Sequence, residues 1–316
     1  MRNNLGMRNS WSSIVKKINE PICDTNILKL LNKYESSIDK NNYNFFYRGE
    51  KQIYETCLTP SVFRNANEKE AYFDALTYFP NEFVGLSALS QLAKMQHYTY
   101  PTRLLDLTTN PLVALWFASA DYSTKTISYQ HDEKDGQFFV IATRKKNILS
   151  FESDRALLLS CLAKLDDEEK NMLAKFLEHQ LDNNNQKLDN DCIKQLKTNN
   201  VNVFQKYISE VSRERTAFLN YRTNPKDIFS TFIVRPLINN DRLQKQNGLF
   251  AIFGLNSELY NNNDEYKIYS FVIPKQCKQK IVDELDKLGI NQATLFGDIE
   301  SRAKYNDLKK NANKVF

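Results

Sequence analysis

Gln96-His97-Tyr98-Thr99-Tyr100-Pro101-Thr102-Arg103-Leu104-Leu105-Asp106-Leu107-Thr108-Thr109-Asn110-Pro111 runs directly into Leu112-Val113-Ala114-Leu115-Trp116-Phe117-Ala118. The second part is apolar on every side, which predicts a helix buried all round. Thr108, Thr109 or Asn110 can cap that helix, and Pro111 suits its first position. The first part is polar, yet it lies between apolar elements. A loop held in that way is where a rigid scaffold positions functional side chains.

Working outward, Asn44-Phe45-Phe46-Tyr47-Arg48-Gly49-Glu50 reads as a short buried strand. Gly49 marks a turn or a close approach of backbone. Residues 68–79 and 82–95 read as helices around Pro80. Residues 11–35 read as helical from Trp11, Ile14, Ile18, Ile22, Ile27 and Leu31, broken at Pro21. Downstream, strands are expected at 136–143, 230–236, 248–254, 267–274 and 293–296. A helix over 276–288 stops at Gly289, and Asp298 opens a last helix. Residues 152–222 lack strand signals and read as a helical insertion with loops such as Asn183-Asn184-Asn185. The pattern predicts an α+β fold: one mixed or antiparallel sheet, flanking helices and a helical insertion.

Composition narrows the function classes. At 316 residues, with 41% hydrophobic and 26% charged residues, the chain can build a core without metal or disulfide. No long uncharged apolar run is present, so no membrane span is expected. Met1–Ser10 has no apolar leader core, which points to a cytoplasmic protein. Forty-three Lys and Arg against 38 Asp and Glu give +5, a mild bias that permits an anionic ligand. Five scattered cysteines (Cys23, Cys57, Cys161, Cys192 and Cys277) form no CxxC pair. With only His97, His131 and His179 beside them, reduced thiols and no metal site are expected. No dinucleotide-fold, P-loop, nucleophile-elbow or zinc-protease signature appears.

Each candidate functional residue has a structural alternative. Arg48 offers a fork of donors suited to phosphate or carboxylate, or an ion pair with Glu50 or Asp106. His97 is an acid, a base or a ligand donor, or a histidine that locks its loop. Arg103 lines a pocket, or pairs with Asp106 and braces the turn. Thr108 and Thr109 meet a ligand at a helix N-terminus, or cap that helix. Gln246, entering a strand, lines a pocket or sits in a solvated loop. Asp298 and Glu300 follow the strand expected at 293–296, where a carboxylate would stabilise a cationic transition state; Asp298 is equally a helix cap.

The blocks Phe46-Tyr47-Arg48-Gly49-Glu50, Leu92-Ala93-Lys94-Met95-Gln96-His97-Tyr98 and Pro101-Thr102-Arg103-Leu104-Leu105-Asp106 resemble the FRG domain family. Asn110-Pro111, Gly136–Val140, Asn240-Asp241-Arg242-Leu243 with Gln246–Phe250, and Thr294-Leu295-Phe296 continue the resemblance in the same order. The resemblance covers roughly residues 40–305 and, with the helical reading of the N-terminus, divides the chain into an N-terminal helical segment over 1–39 and an FRG domain over 40–316. Gly297 departs from the family's proline, and Thr99-Tyr100 stands where the family commonly has glycine. FRG proteins are bacterial and phage-associated, which implies a role in anti-phage defence or toxicity with a phage trigger. A looser similarity in residue order links the chain to ADP-ribosyltransferases. It implies NAD as substrate and a protein or nucleic-acid target. Arg48 would hold the pyrophosphate, Thr108 or Thr109 would orient the ribose, and Asp298 or Glu300 would supply the catalytic acid. His97, Arg103 and Gln246 would line the pocket. The alternative is a binding module for a nucleotide, an RNA or a phage component, without chemistry.

Overall fold

The computed structural model describes residues 11–64, 66–120, 134–182, 199–216, 224–237, 241–255 and 265–312. Within them the strands are β1 (Val15–Ile18), β2 (Tyr43–Glu50), β3 (Leu104–Thr108), β4 (Gly136–Arg144), β5 (Ile148–Ser150), β6 (Thr231–Arg235), β7 (Gly248–Phe253) and β8 (Tyr266–Ile273). They form one sheet in the order β1-β8-β4-β2-β3-β7-β6-β5. The pairs at the two edges, β1 with β8 and β5 with β6, are parallel, and the rest are antiparallel. The fold is α+β with a single mixed sheet. β4 sits centrally because Phe138, Phe139, Val140, Ile141 and Ala142 are apolar toward both faces, and all five are fully buried.

The sheet curls strongly. The Trp11 indole lies 5.2 Å from the ring of Phe253 on β7 and 5.1 Å from that of Tyr266 on β8, although β4, β2 and β3 stand between those strands. The Tyr266 hydroxyl also donates to the Thr231 carbonyl of β6. Phe46, Phe139, Ile141, Leu105, Leu107 and Ala251 fill the hollow.

Helices cover the outer face. α1 (Leu28–Glu35) is followed by α2 (Glu68–Tyr78), α3 (Pro80–Phe83) and α4 (Ala88–His97). α5 (Pro111–Ser119) is the buried helix expected from the sequence, capped by the Asn110 side chain on the Leu112 amide. It lies directly on β2. A Cβ at Gly49 would stand 1.9 Å from the Ala114 carbonyl oxygen and 2.5 Å from the Ala118 nitrogen, so only glycine permits this approach. The described part of the insertion is helical: α6 (Asp154–Cys161), α7 (Asp167–Asp182) and α8 (Asn199–Glu214). The loop at Asn183–Asn185 lies outside the described residues, as do His131 and Cys192. α9 (Pro225–Phe229), α10 (Asp241–Lys245), α11 (Lys275–Lys287), α12 (Gln292–Phe296) and α13 (Ile299–Ala312) complete the order.

Three expectations are corrected. Residues 11–35 are not one helix: a 3-10 turn at Ser12–Ile14 leads into β1, and α1 starts only at Leu28. The four-residue spacing of Ile14, Ile18 and Ile22 mimics a helix, but β-branched Val15 and Ile18 instead extend the edge beside Ile268 and Phe271. Residues 293–296 belong to helix α12, not to a strand. An Asn291 capping box nucleates it: the Asn291 side chain accepts from the Thr294 amide, and the Thr294 hydroxyl accepts from the Asn291 amide. The thiols are not all reduced, because Cys23 and Cys277, 254 residues apart with Cα atoms 4.9 Å apart, form a disulfide. Such a pairing has no short-range signature. Cys57 and Cys161 are free and buried, and burial pushes their thiols up to about 11 and about 12.

Candidate functional site

The sheet is split beside the Arg48 motif. β2 pairs with β4 along all of Tyr43–Glu50 but meets β3 only at Tyr47–Thr108. Arg48 spans the gap. Its Nε donates to Glu50 Oε1 at 3.1 Å, and its guanidinium donates to the Asp106 main-chain carbonyl at 2.8 Å. Glu50 Oε1 also accepts from the Leu58 amide at 3.2 Å. The ion pair with Glu50 therefore exists. Asp106 takes part through its backbone, while its carboxylate accepts from Gln96 Nε2 at 2.7 Å.

Arg103 goes elsewhere. It is sealed in the core at 1% exposure, donating from Nε to Glu68 Oε1 at 2.8 Å, from its guanidinium to Glu68 Oε2, and to the Phe253 carbonyl at 2.8 Å. Lys170 of α7 closes the group at 2.8 Å from Glu68 Oε2. Burial alone would raise the Glu68 pKa, but Arg103 and Lys170 outweigh it and pull the carboxyl down to about 2. Arg103 neither braces Asp106 nor lines a pocket. A buried charge must be paired, and the carboxylate that pairs with the Arg103 fork lies 35 residues upstream.

The remaining candidates gather around the end of β3. The Thr108 hydroxyl donates to the Gln246 carbonyl at 2.7 Å and accepts from the Asn110 amide at 3.0 Å. Gln246 Nε2 donates to the Leu295 carbonyl at 3.2 Å. Thr108 and Gln246 thus tie the start of α5 to the α10–β7 loop and to α12. The Arg242 guanidinium stacks 4.5 Å above the Phe296 ring. His97 ends α4 in the field of Arg242 and Asp298. Its pKa is lowered, first by burial and then by Arg242 and Lys94, while Asp298 pulls the other way. Thr99, two residues on, holds φ +63, the left-handed region that glycine enters most readily.

Asp298 caps α13, accepting from the Ser301 amide at 2.7 Å and the Ser301 hydroxyl at 2.8 Å. Burial works to raise its pKa, but the bonds from Ser301 and the charge of Arg242 keep the carboxyl below its usual range. It stands between two helices, not at a strand end. Glu300, its side chain 77% exposed, pairs with Lys304 at 2.6 Å on the outside of α13. His97, Thr108, Gln246 and Asp298 therefore share one neighbourhood, and Arg48 joins it through Asp106 and Gln96. Arg103 and Glu300 do not.

A cavity of about 380 Å³ opens on the other side of the Tyr47–Thr108 contact. Glu35, Lys40, Tyr43, Asn44, Phe45, Phe46, Tyr47, Thr109 and Arg235 line it. Of the expected site residues only Thr109 belongs to it. Glu35 and Lys40 carried no sequence signal. The aromatic run and the Arg235-Pro236 junction were visible, but nothing in the sequence brings them together. Among the described residues no group of three His, Cys, Asp or Glu is placed to hold a metal ion, and no helix is long and apolar enough to cross a membrane.

Residues 43–126 match the family model described as FRG domain. No curated protein and no solved structure matches the chain. The matched segment contains the Arg48 strand, the Gly49 contact and the whole run from α2 to α5. Residues 43–126 are an FRG domain.

Proposed function

We propose that this FRG-domain protein recognises a nucleotide, with NAD as the candidate ligand, at the rim of β3. The observation that carries the reading is the convergence of Arg48, of His97 and Thr108, and of Arg242 and Gln246, drawn from three separate stretches, around one strand end and the start of α5. Cationic forks and a helix N-terminus are the groups that favour phosphate. Recognition is the leading reading because the two candidate acids are already engaged, Asp298 with Ser301 and Glu300 with Lys304.

A second reading, ADP-ribosyl transfer or NAD consumption, is favoured by one observation: the bonds from Ser301 and the charge of Arg242 keep the Asp298 carboxyl below its usual range, beside His97. It would stabilise the oxocarbenium-like ribose as nicotinamide leaves, with water or a nucleophile on a protein or nucleic-acid target accepting the ribosyl group. Roles in anti-phage defence or toxicity, with a phage component as trigger, belong to this reading.

One experiment separates them. Purified protein is titrated with labelled NAD while nicotinamide release is followed. Saturable binding that Arg48→Met weakens supports recognition. Release that Asp298→Asn abolishes while binding persists supports transfer. No binding at millimolar NAD by folded wild-type protein overturns both.

A further inference from the structure

The cavity beyond the Tyr47–Thr108 contact has a backbone wall. In an antiparallel ladder, successive residues alternate between bonding the partner strand and facing away from it. Tyr43 faces away from β4, because its amide donates to the Asp39 carbonyl at 3.0 Å and the amide of its register partner Arg144 donates to Glu265. Phe45 and Tyr47 share that phase. Tyr47 meets Thr108 on this side. Phe45 has no strand beside it there, so its N–H and C=O open on the cavity. An open edge position on a strand is a template for another main chain.

The charges lining the cavity are also legible. Lys40 stands 3.7 Å from Glu35, and the Tyr47 hydroxyl donates to Glu35 at 2.6 Å, so that pair is internally balanced. Arg235 is exposed at the end of β6, where its backbone pairs with β5, and among the described residues its side chain makes no hydrogen bond or ion pair. One cation is left over in a lining that also includes Thr109. A nucleotide phosphate would bring more than one negative charge toward the Glu35 carboxylate on the same wall. A single terminal carboxylate would not.

We propose that this cavity binds the carboxyl-terminal residues of an extended peptide. The peptide main chain pairs with the Phe45 N–H and C=O as an added strand, and its terminal carboxylate meets Arg235 and the Thr109 hydroxyl. Tyr43, Phe45 and Tyr47 supply the apolar wall for its side chains. A hollow of about 380 Å³, open to solvent, lies within the size range of ligand pockets.

The test uses the full chain and an array of hexapeptides presented with free carboxyl termini, alongside the same array with carboxamide termini. Binders are expected from the first array, weakened about tenfold or more as carboxamides and to a similar degree in Arg235→Gln. Hydrogen exchange at the Phe45 amide should slow when such a peptide binds. Absence of any free-carboxylate binder, or binders indifferent to both amidation and Arg235→Gln, overturns the proposal. It is also overturned if NAD or ADP protects the Phe45 amide and loses affinity in Arg235→Gln, which would give the cavity to a nucleotide. Because Arg235 lies outside the β3-rim cluster, Arg235→Gln should leave NAD binding unchanged, so the two readings fail separately.

Discussion

Arg48 and Arg103 are both motif arginines, both on or beside neighbouring strands of one sheet, and both paired with a glutamate, yet they do different work. Around Arg103 the pairing closes on both carboxylate oxygens. Glu68 takes two of its N–H groups, Lys170 adds a second cation, the Phe253 carbonyl takes a third N–H, and the whole group is buried. Around Arg48 it is incomplete. Glu50 uses one oxygen, its Oε2 is buried without a hydrogen-bond partner, and the sheet opens on either side of a single β2–β3 contact. A sealed and saturated ion pair fixes architecture: here it ties α2 and α7 to the start of β3 and the end of β7. A pair at a split in the sheet, with acceptor capacity unspent, is where a ligand finds groups to bind.

The contrast breaks most readily at Arg103. Arg103→Met should cost about 3–5 kcal/mol in denaturant unfolding, because it strands Glu68 in the core with Lys170 alone. A loss close to that of Arg48→Met would erase the distinction. Acid sharpens it next. The Glu68 pKa is depressed in the folded state, so its contribution is present above the unfolded value of 4.5 and is lost as pH falls toward about 2. That interval corresponds to about 3 kcal/mol, and Glu68→Gln should flatten the acid-unfolding curve over it.

Gly49→Ala comes third. Its Cβ would meet backbone atoms of α5 that cannot rotate away, which places the cost near the upper end of the range of about 1–3 kcal/mol for overpacking. Thermal unfolding that matched wild type would show that α5 does not rest on β2 as described. Arg48→Met should be mildest in stability, about 2 kcal/mol, because Arg48 is partly exposed although Glu50 is buried, while carrying the largest loss of NAD binding of the four changes. A stability loss as large as that of Arg103→Met would make Arg48 architectural too.

Much of this was written locally. The cap at Asn110, proline at the first position of α5 and the all-round apolar run defined that helix without any partner. β4, β6, β7 and β8 announced themselves as apolar runs, and Gly289 marked the end of α11. At Gly49 the sequence left a turn or a close approach of backbone open, and the packing of α5 decided for the approach. Residues 11–35 and 293–296 misled because short apolar runs fit both helix and strand periods. Neighbouring strands and caps then decided between the two.

What the chain alone determined, then, was which segments are buried, where helices start and stop, and which polar loop the scaffold holds. Local propensity and capping act over a few residues, and the sequence states them directly. Only the tertiary structure decided which carboxylate each arginine took, that Cys23 meets Cys277, that β2 and β3 part after one contact, and that Arg235 and Phe45 share a cavity. Those outcomes depend on which distant groups best satisfy one another once water is excluded, and no stretch of sequence holds both partners.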